Sequence, residues 1–344
     1  MEHLQKTVLM LGLVSLLAIP GIPASYPEVD SESVIEAIRH NQSLLQSGQV
    51  RIEKRRFYTE HGEQWMLDFQ EALRKDNATM ALDQDNQDAL FIFDRSKIYY
   101  EVQHIGSSLS GPYIPGVTPG MPSAYSDSLF FNGDITTEVK DDLTGDGRHR
   151  VWAHIYPGYR RDELTTRPYL DPRKWSDMFW YVSFGTQLGK NDLGVDGNLM
   201  EKMTDIEFSL LGRNQVNGAS CYQFELTFTK NKGRHVWVIS INQEKGFWPE
   251  QIEFYDFIHP KPLERTLVKR AAYHIRQSPK GIWHPEKIVY IFYEDGVPAW
   301  EDHVRFFDFE INVDVSDKMR IDIPPGTPIV DHRLGEGQPK VLAP

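Results

Sequence analysis

Cysteine is almost missing. Cys221 is the single cysteine in 344 residues, so no intramolecular disulfide can form and stability must come from core burial. Basic residues are in deficit, 37 Lys and Arg against 49 Asp and Glu, a formal net charge of −12. Phosphate neutralisation needs a clustered basic surface, so no nucleic-acid partner is expected. The sequence also lacks G-x-S-x-G, H-E-x-x-H, G-x-x-x-x-G-K-[ST] and G-x-G-x-x-G. No histidine pair at i, i+4 is joined to a third ligand, and His259 and His284 precede prolines, which places them in turns. The pattern is therefore that of a non-enzyme with no catalytic residues, no metal and no cofactor.

Long apolar runs are scarce as well. Thr7 to Ile19 is almost wholly apolar but too short to span a bilayer as a helix. Pro20, Gly21 and Pro23 break it, and Ala24 supplies a small residue for cleavage. The expectation is a signal peptide over 1–24 and an exported chain, periplasmic or extracellular, with no transmembrane span after cleavage.

The remainder of the chain is strongly patterned. Ser31 and Ser33 can cap a helix; Val34, Ile35, Ile38, Leu44 and Leu45 recur near the 3.6-residue period, and Gly48 ends it. Strand-like segments are expected over 49–60, 63–71 and 89–103, the last with a turn at Asp94-Arg95-Ser96. Gly, Pro and Ser crowd 106–135, and a helix is expected over 171–185, so 106–200 reads as a loop and helix insertion. From 204 onward seven long strand-like runs alternate with turn residues such as Asn217-Gly218 and Asp295-Gly296, an antiparallel meander. One clear helix and about ten strands predict a mainly β, α+β fold. Its large curved antiparallel sheet forms an open half-barrel covered by the N-terminal helix.

Inside the meander the segment Gly246-Phe247-Trp248-Pro249-Glu250 returns as Gly281-Ile282-Trp283-His284-Pro285-Glu286. The spacing equals two strands, which puts both copies on one rim of the sheet. One alternating set, Trp237, Ile239, Ile241, Ile252, Phe254, Tyr290, Phe292, Phe307 and Phe309, marks candidate cavity-lining positions. The opposite set is also partly apolar, at Val236, Val238, Val289 and Ile291. A strand apolar on both faces is covered twice or faces a ligand cavity, and the sequence does not choose between a filled core and a cavity.

Other constellations weigh less. Asp142, Thr144 and Asp146 have the first three spacings of a calcium loop, but position twelve is Ala153 rather than Glu. The stretch from Asp192 lacks a ligand at position three. Ordinary Asp-Gly turns explain both. Trp248, Trp283 and Trp300 as a sugar-stacking rim, with acids such as Asp256, Glu294 and Asp295, support a carbohydrate-binding or glycoside-active alternative. The same tryptophans are better read as closing the ends of the barrel core. Cys221, among Tyr222, Phe224, Leu226 and Phe228, reads as a buried small hydrophobe.

The helix-then-meander order, the G-[FI]-W rim, Asp171-Pro172-Arg173 and the late stretch Pro324-Pro325-Gly326-Thr327-Pro328-Ile329-Val330-Asp331 resemble the lipoprotein carrier and outer-membrane lipoprotein-sorting superfamily, in its larger exported relatives. The resemblance covers roughly residues 30–335. It implies one open-barrel domain over 25–335, with 336–344 as a flexible tail. It also implies an apolar cavity for a lipid or lipoprotein acyl chain, and a role in lipid or lipoprotein trafficking or in envelope sensing. The carriers hold their lid with an arginine on an early strand. Arg51, Arg55 and Arg56 lie in that region, and no motif selects one.

Overall fold

The computed structural model describes residues 31–75, 86–105, 126–143, 149–158, 171, 173, 203–230, 233–257, 265–333 and 340–342. The segments read as signal peptide, as the 192–203 loop up to residue 202 and as the 174–185 helix lie outside them, as does most of the 142–147 loop. In chain order the elements are α1 (Ser31–Ser43), β1 (Ser47–Tyr58), α2 (Glu60–Lys75), β2 (Asn86–Asp94), β3 (Lys97–Ile105), β4 (Ser126–Phe131), β5 (Ile135–Leu143) and β6 (His149–Pro157). Then come β7 (Met203–Val216), β8 (Ala219–Lys230), β9 (Gly233–Asn242), β10 (Trp248–Phe257), β11 (Arg265–Gln277), β12 (Trp283–Glu294), β13 (Val297–Ile311), β14 (Ile329–Asp331) and β15 (Lys340–Leu342).

All the strands join one sheet in the order β15-β14-β6-β5-β4-β3-β2-β1-β13-β12-β11-β10-β9-β8-β7. Pairings are antiparallel except β14 beside β6, which is parallel. Its two edges do not pair with each other among the described residues, and the sheet is an open half-barrel. The expected fold class holds. Strand β1 is the seam, because it pairs with β2 on one side and with the last long strand, β13, on the other.

Three local expectations change. Residues 63–71 are not a strand but part of α2. Thr59 caps that helix: its hydroxyl accepts the Gly62 N–H at 3.1 Å and its carbonyl accepts the Glu63 N–H at 2.9 Å. Glu60 and Glu63 then complement the positive end of the first turn. The span 106–200, expected as loop and helix, contributes β4, β5 and β6 to the sheet. The late Pro-Pro-Gly-Thr-Pro turn delivers β14 to the edge of β6, where Ala153 N–H donates to the Pro328 carbonyl at 3.0 Å, and β15, from the expected tail, pairs with β14.

The inner face holds the core. From β1, Val50 and Ile52 meet Phe91 and Ala89 on β2, and Tyr100 and Val102 on β3 lie next in register. Across β13, Val304 meets Ile288 on β12, which meets Tyr273 on β11, and Ala271 meets Ile252 on β10. Helix α1 adds Val34, Ile35 and Ile38 to this one cluster. At about 25 cal/mol per Å² of apolar area, burying such side chains contributes roughly 1.5–3 kcal/mol each, which stands in for the absent disulfides. Asn312 ties the helix to the sheet: its side chain donates to Leu44 O at 2.9 Å and accepts Gln46 N–H at 3.1 Å. The outer face is laced with ion pairs such as Arg55–Asp88 at 2.7 Å and Arg270–Glu253 at 2.8 Å.

Both copies of the internal echo lie on one rim, as their spacing predicts. Gly246 adopts φ 65° and Gly281 φ 78°. The start of β1, the end of β13 and the β2–β3 turn share this rim, with α1 beside them. Helix α2 sits at the opposite rim, against the start of β13, where Gly62 comes so close that a Cβ would overlap the Ala299 carbonyl.

Candidate functional site

The inner face is not uniform. Toward the α1 rim, Phe91, Phe93, Tyr100, Leu129, Phe224 and Ile241 are fully buried, so this half is a filled core. Toward the α2 rim the inward positions turn polar. Lys54 on β1 continues the phase of Val50 and Ile52, Asp302 on β13 that of Val304, and Lys269 on β11 that of Ala271 and Tyr273. Gln87, His104 and Asp127 continue the band through β2, β3 and β4.

Asp302 is the hub of this band. Arg56 grips it with two bonds, Nε to Oδ1 at 2.6 Å and Nη2 to Oδ2 at 2.8 Å, and Lys54 Nζ lies 3.3 Å from Oδ2. Lys54 and Asp302 are 4% and 5% exposed, so the pair is held away from solvent. His104 Nε2 stands 3.7 Å from Asp127 Oδ2 further along.

Next to the hub lies a different arrangement. The Lys269 ammonium is surrounded by ring faces, 4.6 Å from the Tyr290 centroid, 5.0 Å from Phe254 and 5.2 Å from Phe292. Burial lowers its pKa from 10.5 to about 8; nearby Asp302 opposes the shift and Lys54 adds to it. Cation–π attraction to the three rings offsets part of the desolvation cost. From this cage an aromatic lane continues: Trp237 packs edge-on to Phe254 at 4.5 Å, Phe228 packs on Trp237 at 5.9 Å, and Phe292 stacks on Trp300 at 4.9 Å. Trp237, Phe254, Phe292 and Trp300 are only partly buried, unlike the fully buried core residues.

The nine candidate lining residues separate accordingly. Ile239, Ile241 and Ile252 are core. Trp237, Phe254, Tyr290 and Phe292 form the lane and cage. Phe309 points inward, 6.5 Å from Phe93. Phe307 does not line the inner face. It pairs with exposed Arg51 on the outside, under Arg305 at 4.9 Å, because the inward slot at this point goes to Phe306. The backbone irregularity just after it, Asp308 with φ 50°, then returns Phe309 to the interior. Phe307 lines an open outer groove of about 750 Å³ with charges of both signs, among them Arg51, Arg276, Glu286 and Asp308.

The tryptophan rim does not assemble. Trp248 is 3% exposed, and Trp283 packs on Gly246 at the α1 rim, whereas Trp300 lies at the other rim beside Trp65. Glu294 and Asp295 occupy the β12–β13 turn, where burial and the Asp295 charge raise the Glu294 pKa. Cys221 is fully buried, and burial pushes its thiol up to about 11, which makes it inert as a nucleophile. Among the described residues no three His, Cys, Asp or Glu side chains come together as a metal site, and no helix is long and apolar enough to cross a membrane.

Lys54, Lys269 and Asp302 are not singled out by sequence reasoning. The signal is present as phase: each is a charged residue at an inward position of an alternating apolar strand. Of the Asp-Pro-Arg segment, Arg173 has a structural role. Arg173 stacks over Phe93 at 4.5 Å, its guanidinium donates to Arg95 O at 2.9 Å, and its carbonyl accepts from the Gln42 side chain of α1 at 2.7 Å.

No family model matches the chain, and no curated protein does. Among solved structures it is similar to a putative outer membrane lipoprotein-sorting protein domain from Vibrio parahaemolyticus, at 11% identity and TM-score 0.37, covering 84% of this chain and 96% of that one. It is also similar to a LolA superfamily protein from Nitrosomonas europaea, at 13% identity and TM-score 0.38, covering 86% and 98%. A third is the lipoprotein LppX of Mycobacterium tuberculosis, at 9% identity and TM-score 0.24, covering 83% and 100%. These structures include members of the superfamily that the sequence resembles.

Proposed function

We propose that this chain is an exported, non-enzymatic binding protein that holds a lipid, an acyl chain or another apolar ligand on the inner face of its half-barrel. The observation that carries the reading is the contrast within that face. The half beneath α1 is closed and filled, while two partly exposed aromatic pairs, Trp237–Phe254 and Phe292–Trp300, flank Lys269 and form a lane with that lysine at its middle. Partly exposed aromatic surface inside a curved sheet suits a flexible alkyl chain better than a sugar, which needs polar partners around a stacking ring. About ten methylenes removed from water at roughly 0.8 kcal/mol each supply on the order of 8 kcal/mol, the scale of micromolar binding before ordering costs. Trafficking of lipids or lipoproteins, or sensing of envelope state, is the role such a binder would serve.

Native mass spectrometry of the full chain from its own cell envelope, with organic extraction, tests the reading. A reproducible lipid adduct is expected. Delipidated protein should then bind a brominated fatty acid with quenching of Trp237, reduced in Trp237→Phe. Absence of both adduct and quenching would overturn it.

A further inference from the structure

Lys269 is unusual among the charged residues of the inner face. Among the described residues it makes no ion pair and no hydrogen bond; its neighbours are the three ring faces. The nearest acid of the band, Asp302, is gripped by Arg56 at 2.6 and 2.8 Å and by Lys54 at 3.3 Å, so it is committed elsewhere. Ring faces attract a cation but do not neutralise it, and a half-buried ammonium held this way gains from any oxyanion that reaches it. Two of the three rings, Phe254 and Phe292, belong to the partly exposed lane, so the path to Nζ is the lane itself.

We propose that Lys269 anchors the headgroup of an anionic amphiphile, its ammonium receiving a carboxylate or phosphate oxygen while the alkyl chain lies along Phe254, Trp237 and Phe292. This rests on the apolar-ligand reading and adds to it the charge and position of the headgroup. The cage then does two things. It keeps the empty site from collapsing onto an internal carboxylate, and it excludes water from the ion pair once the ligand is seated. Exchange of the chain stays permissive, because alkyl contacts with aromatic faces are non-directional.

The test is displacement of a neutral fluorescent alkyl probe from the full chain by dodecanoate, dodecyl phosphate and dodecanol. At pH 7 at least one anion should compete about tenfold or more better than dodecanol, the scale of one charge-assisted hydrogen bond. A better result with dodecanoate identifies a fatty-acid headgroup; a better result with dodecyl phosphate identifies a phospholipid-type one. Lys269→Met should reduce both anions to the level of dodecanol measured on the same variant, and Lys269→Arg should keep the preference.

A second readout needs no variant. The dodecanoate-to-dodecanol preference of the wild-type chain should fall as pH rises above about 8 and Lys269 loses its proton. The charged and titratable groups facing it are Asp302, Lys54, Arg56, Tyr290 and Tyr273, and burial raises both tyrosines. Equal displacement by anions and alcohol, or a preference that survives both Lys269→Met and high pH, overturns the headgroup assignment while the apolar-ligand reading stands. Failure of the probe and of all three alkyl compounds to bind overturns both.

Discussion

Gly246 and Trp283 touch across the rim of the sheet: a Cβ on Gly246 would lie 2.5 Å from Trp283 Cδ1. The two copies of the Gly-x-Trp echo are therefore packed on each other, one glycine making room for the other copy's indole. Gly246→Ala must displace the ring and also hold an alanine at φ 65°, and should cost about 2–3 kcal/mol. At Gly281 a Cβ would meet nothing nearer than Gln277 Nε2 at 3.8 Å, so only the backbone strain at φ 78° remains, about 1 kcal/mol. Urea unfolding of both variants decides; equal losses would mean that the contact across the rim contributes nothing.

That rim is legible in the sequence because it is made of local signals. Glycines, Asn-Gly and Asp-Gly pairs and strict alternation mark β8 to β13, and the echo's 35-residue spacing puts its copies two strands apart. Helix α2 reads as a strand because Trp65, Met66, Leu67 and Phe69 form a dense apolar and aromatic run, and Gly62 weakens a helix. The cap Thr59 with Glu60 and Glu63 is the signal that corrects it. The seam β13-β1-β2, the parallel β14 and the band at Asp302 depend on pairings between residues far apart in the chain, such as Arg56 with Asp302. Nothing local announces them. Trp237, Phe254 and Phe292 of the lane are visible as alternation, and the cage around Lys269 is not, since a lysine in a strand reads as solvated until its phase is counted.

Helix α2 offers the second test. Gly62 lies against the Ala299 carbonyl, and Thr59 donates its hydroxyl to Pro298 O at 2.7 Å, so the helix is docked by backbone contact on the start of β13. Gly62→Ala adds one methyl where there is no room and should cost about 1–3 kcal/mol of overpacking. The sheet does not depend on that contact, so hydrogen exchange should rise over 60–75 and stay unchanged over β8 to β12. Uniform loss of protection would show that α2 is integral to global folding rather than docked on a finished sheet.

The Asp302 hub predicts a large asymmetry between two carboxylates. Asp302→Asn keeps the shape but removes the charge that Arg56 and Lys54 reach in a buried setting, and should cost about 3–5 kcal/mol. Asp88→Asn removes the partner of Arg55 on the outer face, where Asp88 is 49% exposed, and should cost under about 1 kcal/mol. Raising salt to about 1 M should leave the first loss nearly intact and shrink the second, because screening acts on exposed charges. Thermal unfolding at two ionic strengths measures both. A salt-sensitive loss at Asp302 would place the hub in solvent.

Lys269 makes stability depend on pH with a definite sign. Burial lowers its folded pKa to about 8 from 10.5. Between these values the unfolded chain binds a proton that the folded chain has released, so this lysine makes stability rise as pH increases through the window. Below about pH 8 both states are protonated and the full cost of the half-buried charge is present. Lys269→Met removes that cost. The stability difference between the variant and the parent should therefore be most favourable to methionine near pH 7 and decline toward pH 10.5. The change is at most about 3 kcal/mol, since each tenfold in proton affinity is about 1.4 kcal/mol and residual exposure reduces it. Taking the difference cancels the ionisation of distant lysines and tyrosines shared by both chains. Chemical unfolding at four or five pH values across this window reads the slope directly. A flat difference would mean that the ammonium is as well solvated in the fold as in the unfolded chain, and that the ring cage is open rather than drawn closely around it.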